Sequence, residues 1–466
     1  MPTAAPTPAA VPKLTVADAL SSARETRALL VGRNVLAATP RIFAGHFPGA
    51  RAVVVADQET FAIAGKAVDE ALTGTGIACI HPFLFTDPAL FAEFRFVEQL
   101  EASLRTHDAI PVAVGSGTIN DLVKLAAYRT GRSYLCIATA ASMDGYTAFG
   151  ASITFHGAKQ TFNCPAPRAV IADIDIIGRA PADMTASGYA DLSAKITAGA
   201  DWILADALGV EAIDPRAWAI VQGGLRDSLA DPAGARAGRE SALRPLVEGL
   251  MLGGFAMQWS KTSRPASGAE HQFSHLWDME HHTHQSTAPS HGFKVGVATL
   301  AVTRFYEALL AHPFDKIEIE SCVERWPDIA TLEARVREMF AGTDFVETAV
   351  TETRAKHITR DALRGQLEEL RAGWPEIRSR LHSQLLSPAE MKRRLDLVGA
   401  PTEPEQIGIS RARLRDSFAR AYHIRRRFTV LDLAVRTGTL DPLLDRLFGS
   451  GAVWDARKTG SETPSP

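Results

Sequence analysis

Ala109–Asn120 reads AIPVAVGSGTIN: an uncharged apolar run, a Gly-x-Gly turn, and then DLVKLAAYR, whose apolar residues recur at helical spacing. A short uncharged run of this kind, closed by turn residues, is a strand buried on both faces, as parallel sheets make them. Working outward, Ala52–Asp57 (AVVVAD) is a second such strand, and Ile77–Leu84, Leu135–Thr139 and Ala169–Asp175 are three more. Phe61–Leu72, Phe91–Arg105 and Asp121–Arg129 have helical periodicity between them. Strands alternating with helices predict a doubly wound α/β nucleotide-binding domain.

The pattern changes after Ala180. Ala182–Leu208, Pro215–Leu229, Ser241–Trp259, Phe293–Ala311, Thr331–Phe340, Arg360–Leu386 and Arg411–Gly438 all repeat at about 3.6 residues, and strand-like runs nearly vanish. We expect a disordered tail over 1–14, the α/β domain over 15–181, an all-α domain over 182–448, and a second disordered tail over 449–466. Residues 350–394 are strongly charged and read as solvated helical faces.

Composition narrows the function. Of 466 residues, 46% are hydrophobic and 22% charged, the balance of a soluble globular protein. A net charge of −3 gives no reason to expect a nucleic-acid partner. No apolar run is long enough for membrane insertion, and the start, MPTAAPTPAAVPKL, lacks the basic and apolar regions of a secretion signal. Cys79, Cys136, Cys164 and Cys322 are too dispersed for a disulfide framework and fit a cytoplasmic setting.

GSGTIN joins strand to helix. Gly115 and Gly117 permit positive φ and close approach of a ligand, and the helix N-terminus offers N–H groups and a positive dipole end to a pyrophosphate. A turn that only reverses the chain has the same look. Asp57 ends a strand where a carboxylate can accept from an adenosine ribose, which favours NAD(H) over NADP(H); a plain strand-ending turn residue is the other reading. Six of the fourteen histidines fall within 271–291, in HQFSHLWDMEHHTHQSTAPSH. His271 and His275, at i and i+4, share one helix face, and His291 opens the next helix. Two helices meeting at a cleft bring His271 and His291 to one ion, and an open catalytic site needs a third ligand. Asp191, in a helix otherwise apolar through Ile196, Trp202 and Leu204, is the candidate. His281, His282 and His284 read as exposed residues of a polar loop.

The segments GSGTINDLVKLAAYRTG, TAASMDGYTAFGASI, AVIADIDIIGRAP, SGYADLSAK, SRPASGAEHQFSHLWDM and HGFKVGV resemble the glycerol-1-phosphate dehydrogenases, in particular their bacterial, AraM-like branch, within the iron-containing alcohol dehydrogenase and dehydroquinate synthase-like superfamily. The resemblance covers roughly residues 50–300 and, more loosely, 410–450 with IRRRFTVLDLA.

It implies an active site in the cleft between the two domains, NAD(H) or NADP(H), one divalent ion (Ni, Zn or Fe), and a homodimer. It further implies that Gly115, Ser116, Gly117, Thr118 and Ile119 hold the dinucleotide phosphates, and that Asp57, Thr139, Ala140, Ala141, Ser142 and the Ala148 position contact the cofactor. Ala148 replaces a serine usual in the family. Asp144, Asp191 and His275 match substrate contacts, and Asp191, His271 and His291 match the metal ligands. The implied reaction interconverts dihydroxyacetone phosphate and sn-glycerol 1-phosphate, a small phosphorylated ketone and polyol. A dehydroquinate synthase-like lyase and another polyol dehydrogenase of the superfamily stay open. Lys124, Lys195, Lys261 and Arg264 are the cations near the motifs available to the substrate phosphate.

Overall fold

The computed structural model describes residues 12–155, 158–452 and 454–455. Six strands form one parallel sheet: β1 Ala28–Gly32, β2 Ala52–Asp57, β3 Cys79–Phe85, β4 Ile110–Gly115, β5 Leu135–Ala138 and β8 Ala169–Asp173, in the order β1-β8-β5-β4-β2-β3. Val53, Val55 and Ala113 face one apolar cluster, and Val54, Val112 and Ile137 face the other, so both faces are covered by helices. That double burial makes the strands uncharged and legible. β1 escaped the sequence reading because ALLVG is short and follows the charged RETR.

The chain leaves β2 toward β3 and returns on the other side of β2 to form β4. This reversal is the topological switch point, where open α/β sheets bind ligands beyond the strands' carboxyl ends. Pairing of Val55 with Ala113 brings Asp57 and Gly115 to that same edge. β6 Ala151–Phe155 and β7 Ala158–Phe162 form a separate antiparallel hairpin that the sequence reading did not anticipate.

All elements after β8 among the described residues are helical. Those that build the site or pack behind it are α1 Gly117–Arg129, α2 Ala182–Ala207, α3 Glu240–Ser260, α4 Ala269–Met279, α5 His291–Leu310, α6 Arg360–Gln384, α7 Arg411–Ala421 and α8 Val430–Thr437. Two expected helices are broken. Pro215–Leu229 divides at Gly223–Gly224, a pair of poor helix formers. Arg411–Gly438 divides into α7 and α8, because Thr429 and Asp432 form a capping box that starts a new helix after IRRRF.

The charged stretch 350–394 is more than a solvated face. α6 buries Leu363, Leu367, Leu370, Trp374, Ile377 and Leu381 along one stripe and packs on α2. Positions 1–11 and 456–466 of the expected tails lie outside the described residues. Between them and the body, Lys13 pairs with Asp227, and Trp454 is buried and stacked on Phe448. The helix Val16–Ser22 packs on α3. No helix among the described residues is long and apolar enough to cross a membrane.

Candidate active site

Three helices converge on one cluster. Asp191 sits in the middle of α2 and is fully buried. His271 lies in the first turn of α4, and His291 is the first residue of α5, capped by Ser290. A ligand atom from each lies within 4.8 Å of the others. The approach of α5 to α2 depends on Gly292, since a Cβ there would fall 1.9 Å from the Ser187 carbonyl oxygen. Ser187 stands one turn before Asp191, so the smallest residue is needed where the two helix backbones meet.

The donor set fits a divalent ion. One carboxylate and two imidazoles suit Zn, Ni or Fe, and His271 is already oriented. Its Nδ1 lies 2.8 Å from Glu270 Oε1, while its Nε2 faces Asp191 Oδ1 at 3.6 Å. A carboxylate on one ring nitrogen fixes the tautomer that leaves the other nitrogen's lone pair for a metal. Burial alone would raise the Asp191 carboxyl, but Lys195 with His271 and His291 outweighs it and holds the group well below the usual carboxylate range. Asp191 is therefore ionised and ready to ligate.

Lys195 was a candidate for substrate phosphate, and the structure gives it another place. It is fully buried, with Nζ 2.7 Å from Asp191 Oδ1 and 2.8 Å from Asp144 Oδ2. It neutralises two buried carboxylates that would otherwise repel. Burial and the neighbouring Asp191 push the Asp144 carboxyl up, against the pull of Lys195.

A cleft of about 1060 Å³ opens in front of the cluster. On the sheet side Ser116, Gly117, Thr118, Ser142, Asp144 and Ala148 line it; on the helical side His271, His275 and His291 do. Asp191 lies behind the histidines. Ser116 makes no side-chain cap for α1, which leaves the first-turn N–H groups to the cleft. Neither Gly115 nor Gly117 takes a positive φ. Gly115 is needed for space instead, because a Cβ there would meet Ile119 Cβ at 2.5 Å.

Other expected residues stand behind the wall. Ile119, Thr139, Ala140 and Ala141 are buried, and the Thr139 N–H donates to the Gly115 carbonyl. Asp57 is outside the cleft lining and caps the next helix, accepting from the Thr60 N–H at 2.7 Å. The three remaining loop histidines are not alike: His281 is exposed, whereas His282 is buried between the Ile407 carbonyl and Arg413.

Glu270 was missed by sequence reasoning, although GAEH places it beside His271. The Asp191–Lys195 pair was missed as well, although its i, i+4 spacing in SGYADLSAK is the signal that points to it. A buried tier lies behind Glu270. Asp201 accepts from the Ala269 and Val430 N–H groups and from Tyr306, and burial with the adjacent Glu270 pushes its carboxyl up to about 7.

A parallel-sheet nucleotide fold joined to a helical half, with an Asp–His–His cluster at their cleft, defines the class. Residues 30–181 match the family described as iron-containing alcohol dehydrogenase. The chain is 36% identical over 282 residues to a glycerol-1-phosphate dehydrogenase [NAD(P)+] of Halalkalibacterium halodurans, covering 60% of this chain and 70% of that one. It is 30% identical over 408 residues to the protein of the same name from Geobacillus stearothermophilus, covering 86% and 91%. The chain belongs to the glycerol-1-phosphate dehydrogenase family. Its fold is that of a probable glycerol dehydrogenase from Sinorhizobium meliloti (TM-score 0.56, 18% identity, 90% of this chain and 96% of that one).

Proposed function

We propose that the protein is a metal-dependent, NAD(P)H-linked oxidoreductase that interconverts dihydroxyacetone phosphate and sn-glycerol 1-phosphate. The observation that carries this reading is the Asp191–His271–His291 cluster facing the Ser116–Thr118 helix start across one cleft. Relatives named for that activity share the chain over most of their length.

Asp191, His271 and His291 hold the ion. When bound, the ion supplies Lewis-acid polarisation of the carbonyl and the nicotinamide supplies the hydride. The N–H groups at Ser116–Thr118 take the dinucleotide phosphates, with Ser142 and Ala148 along the cofactor's path. Asp144 and His275, on opposite walls, orient the substrate. Glu270 holds the His271 ring in register, and Lys195 keeps Asp191 ionised while fixing Asp144.

The test is NADH oxidation with dihydroxyacetone phosphate, on protein stripped by a chelator and reloaded separately with Ni²⁺, Zn²⁺ or Fe²⁺. Metal-dependent turnover is expected. Phosphate release from a seven-carbon phosphate substrate without net NADH change would replace this reading with a lyase, and activity on glycerol alone with another polyol dehydrogenase. The same reading includes a cytoplasmic homodimer, and the four dispersed free thiols support its cytoplasmic setting. Sedimentation at the mass of one chain would remove the dimer.

A further inference from the structure

The proposed substrate carries a phosphate, and a dianion entering a cleft needs a cation or N–H donors. The other cations near the motifs already have partners, although Lys261 and Lys294 line the cleft as well. Lys124 is buried and donates to the Gly145, Ala148 and Gly150 carbonyls, bracing the loop that carries Asp144. Lys195 serves Asp191 and Asp144. Arg264 is buried and donates to the Phe428 and Asp201 carbonyls. Lys261 pairs with Glu25, and Lys294 with Asp278.

Arg425 is different. It belongs to the segment between α7 and α8, which is fastened to the wall of the cleft: Arg427 donates to the Ser267 carbonyl at 2.7 Å and to Ser263 Oγ at 2.8 Å, and Gln272 donates to the Arg427 carbonyl at 3.3 Å. Ser263, Ser267, His271, His275 and Arg425 line the same cleft. Arg426 turns away and holds Glu352 through its N–H, Nε and Nη2. Arg425 thus lies on the cleft lining, exposed to solvent. Desolvation pulls it below its usual range, and Glu352, which acts on it from a distance, is already taken by Arg426. A cation held so gains from an incoming anion.

We infer that Arg425 binds the substrate's phosphate and sets the preference for phosphorylated over free triose and polyol. This rests on the activity proposed above. The planar fork of arginine matches two phosphate oxygens, a geometry that lysine cannot reproduce.

The experiment compares the unmodified holoenzyme with Arg425→Ala and Arg425→Lys, measuring KM and kcat for dihydroxyacetone phosphate and for dihydroxyacetone. Loss of a charged hydrogen-bond pair should raise KM for the phosphate ester by about 10- to 100-fold in the alanine variant. The selectivity for phosphate ester over free ketone should fall by a similar factor, the lysine variant should lie between, and added guanidinium ion should restore part of the loss. A KM within twofold of the unmodified value in a folded Arg425→Ala enzyme overturns the inference. If the unmodified enzyme is silent on dihydroxyacetone phosphate, the proposed activity fails by itself, and inorganic phosphate then tests Arg425 directly. Phosphate binding by calorimetry that disappears in Arg425→Ala supports the assignment, and binding that persists overturns it.

Discussion

Glu270 is the residue whose replacement tests the cluster most directly. Its carboxylate takes three donors: the Gly268 N–H at 2.6 Å and His271 Nδ1 at 2.8 Å, both on Oε1, and the Thr197 hydroxyl at 2.8 Å on Oε2. It is fully buried. Glu270→Gln keeps an acceptor at the Oε1 position and removes the charge. Glu270→Ala leaves the Gly268 N–H and the His271 ring N–H buried without an acceptor, at about 1–3 kcal/mol each. Loss of such an outer carboxylate costs about 10- to 100-fold in metal affinity, or roughly 1.4–2.8 kcal/mol at about 1.4 kcal/mol per tenfold. We expect the glutamine variant near the lower end and the alanine variant near the upper. The assay is competition for Zn²⁺ or Ni²⁺ against a chromophoric chelator, with circular dichroism to establish that each variant is folded. A folded Glu270→Ala protein that binds the ion as tightly as the unmodified chain would refute the reasoning, because His271 would then need no orienting partner.

Gly292→Ala should push α5 off α2 at the Ser187 carbonyl and move His291 from Asp191. We expect a loss of about 1–3 kcal/mol in stability, typical of overpacking, with metal affinity at least tenfold weaker, read by thermal melting and the same chelator competition; an unchanged affinity would mean that the helix contact does not position His291. Asp201, pushed up to about 7 from 3.8, binds its proton more tightly in the folded chain, so its contribution to stability is full below 3.8 and is lost as pH rises through 7. Asp201→Asn, which cannot ionise, should gain on the unmodified protein between pH near 5 and pH near 8 in denaturant midpoint, over and above the constant cost of the acceptor it loses, and a constant difference across that range would contradict the shift.

The sheet was legible because each central strand is buried on both faces and carries no charge, as Ala52–Ala56 and Val112–Gly115 show. Helices were legible where one stripe is apolar, but their ends were not. Gly223–Gly224 and the Thr429–Asp432 box break runs whose periodicity continues across them. The convergence of Asp191, His271 and His291 could be anticipated from spacing together with resemblance, since packing alone seldom crowds these residue types. Glu270 read as an ordinary first-turn acid, because nothing in GAEH says that its side chain folds back onto the neighbouring ring. Arg425 was hidden for a related reason: IRRRF contains three adjacent arginines, and only the fold shows that one faces Glu352, one faces Ser267 and one faces the cleft. Asp57 left two readings open, and its bond to the Thr60 N–H accounts for an acid at that position as a helix cap.

The helix Val16–Ser22 precedes the first strand of the sheet, yet it packs on α3, with Ala19 and Ala23 among Trp202, Ile220 and Phe255. Gln258 then receives the Glu25 and Thr26 N–H groups as the chain passes back toward β1. The polypeptide therefore crosses between the two halves twice, once at Ala23–Arg27 and again at Ile177–Ala182. The double crossing, with Gln258 donating to the Thr147 carbonyl and Thr147 donating to the Met251 carbonyl between the same two halves, fixes the nucleotide-facing loops in one register against the histidines.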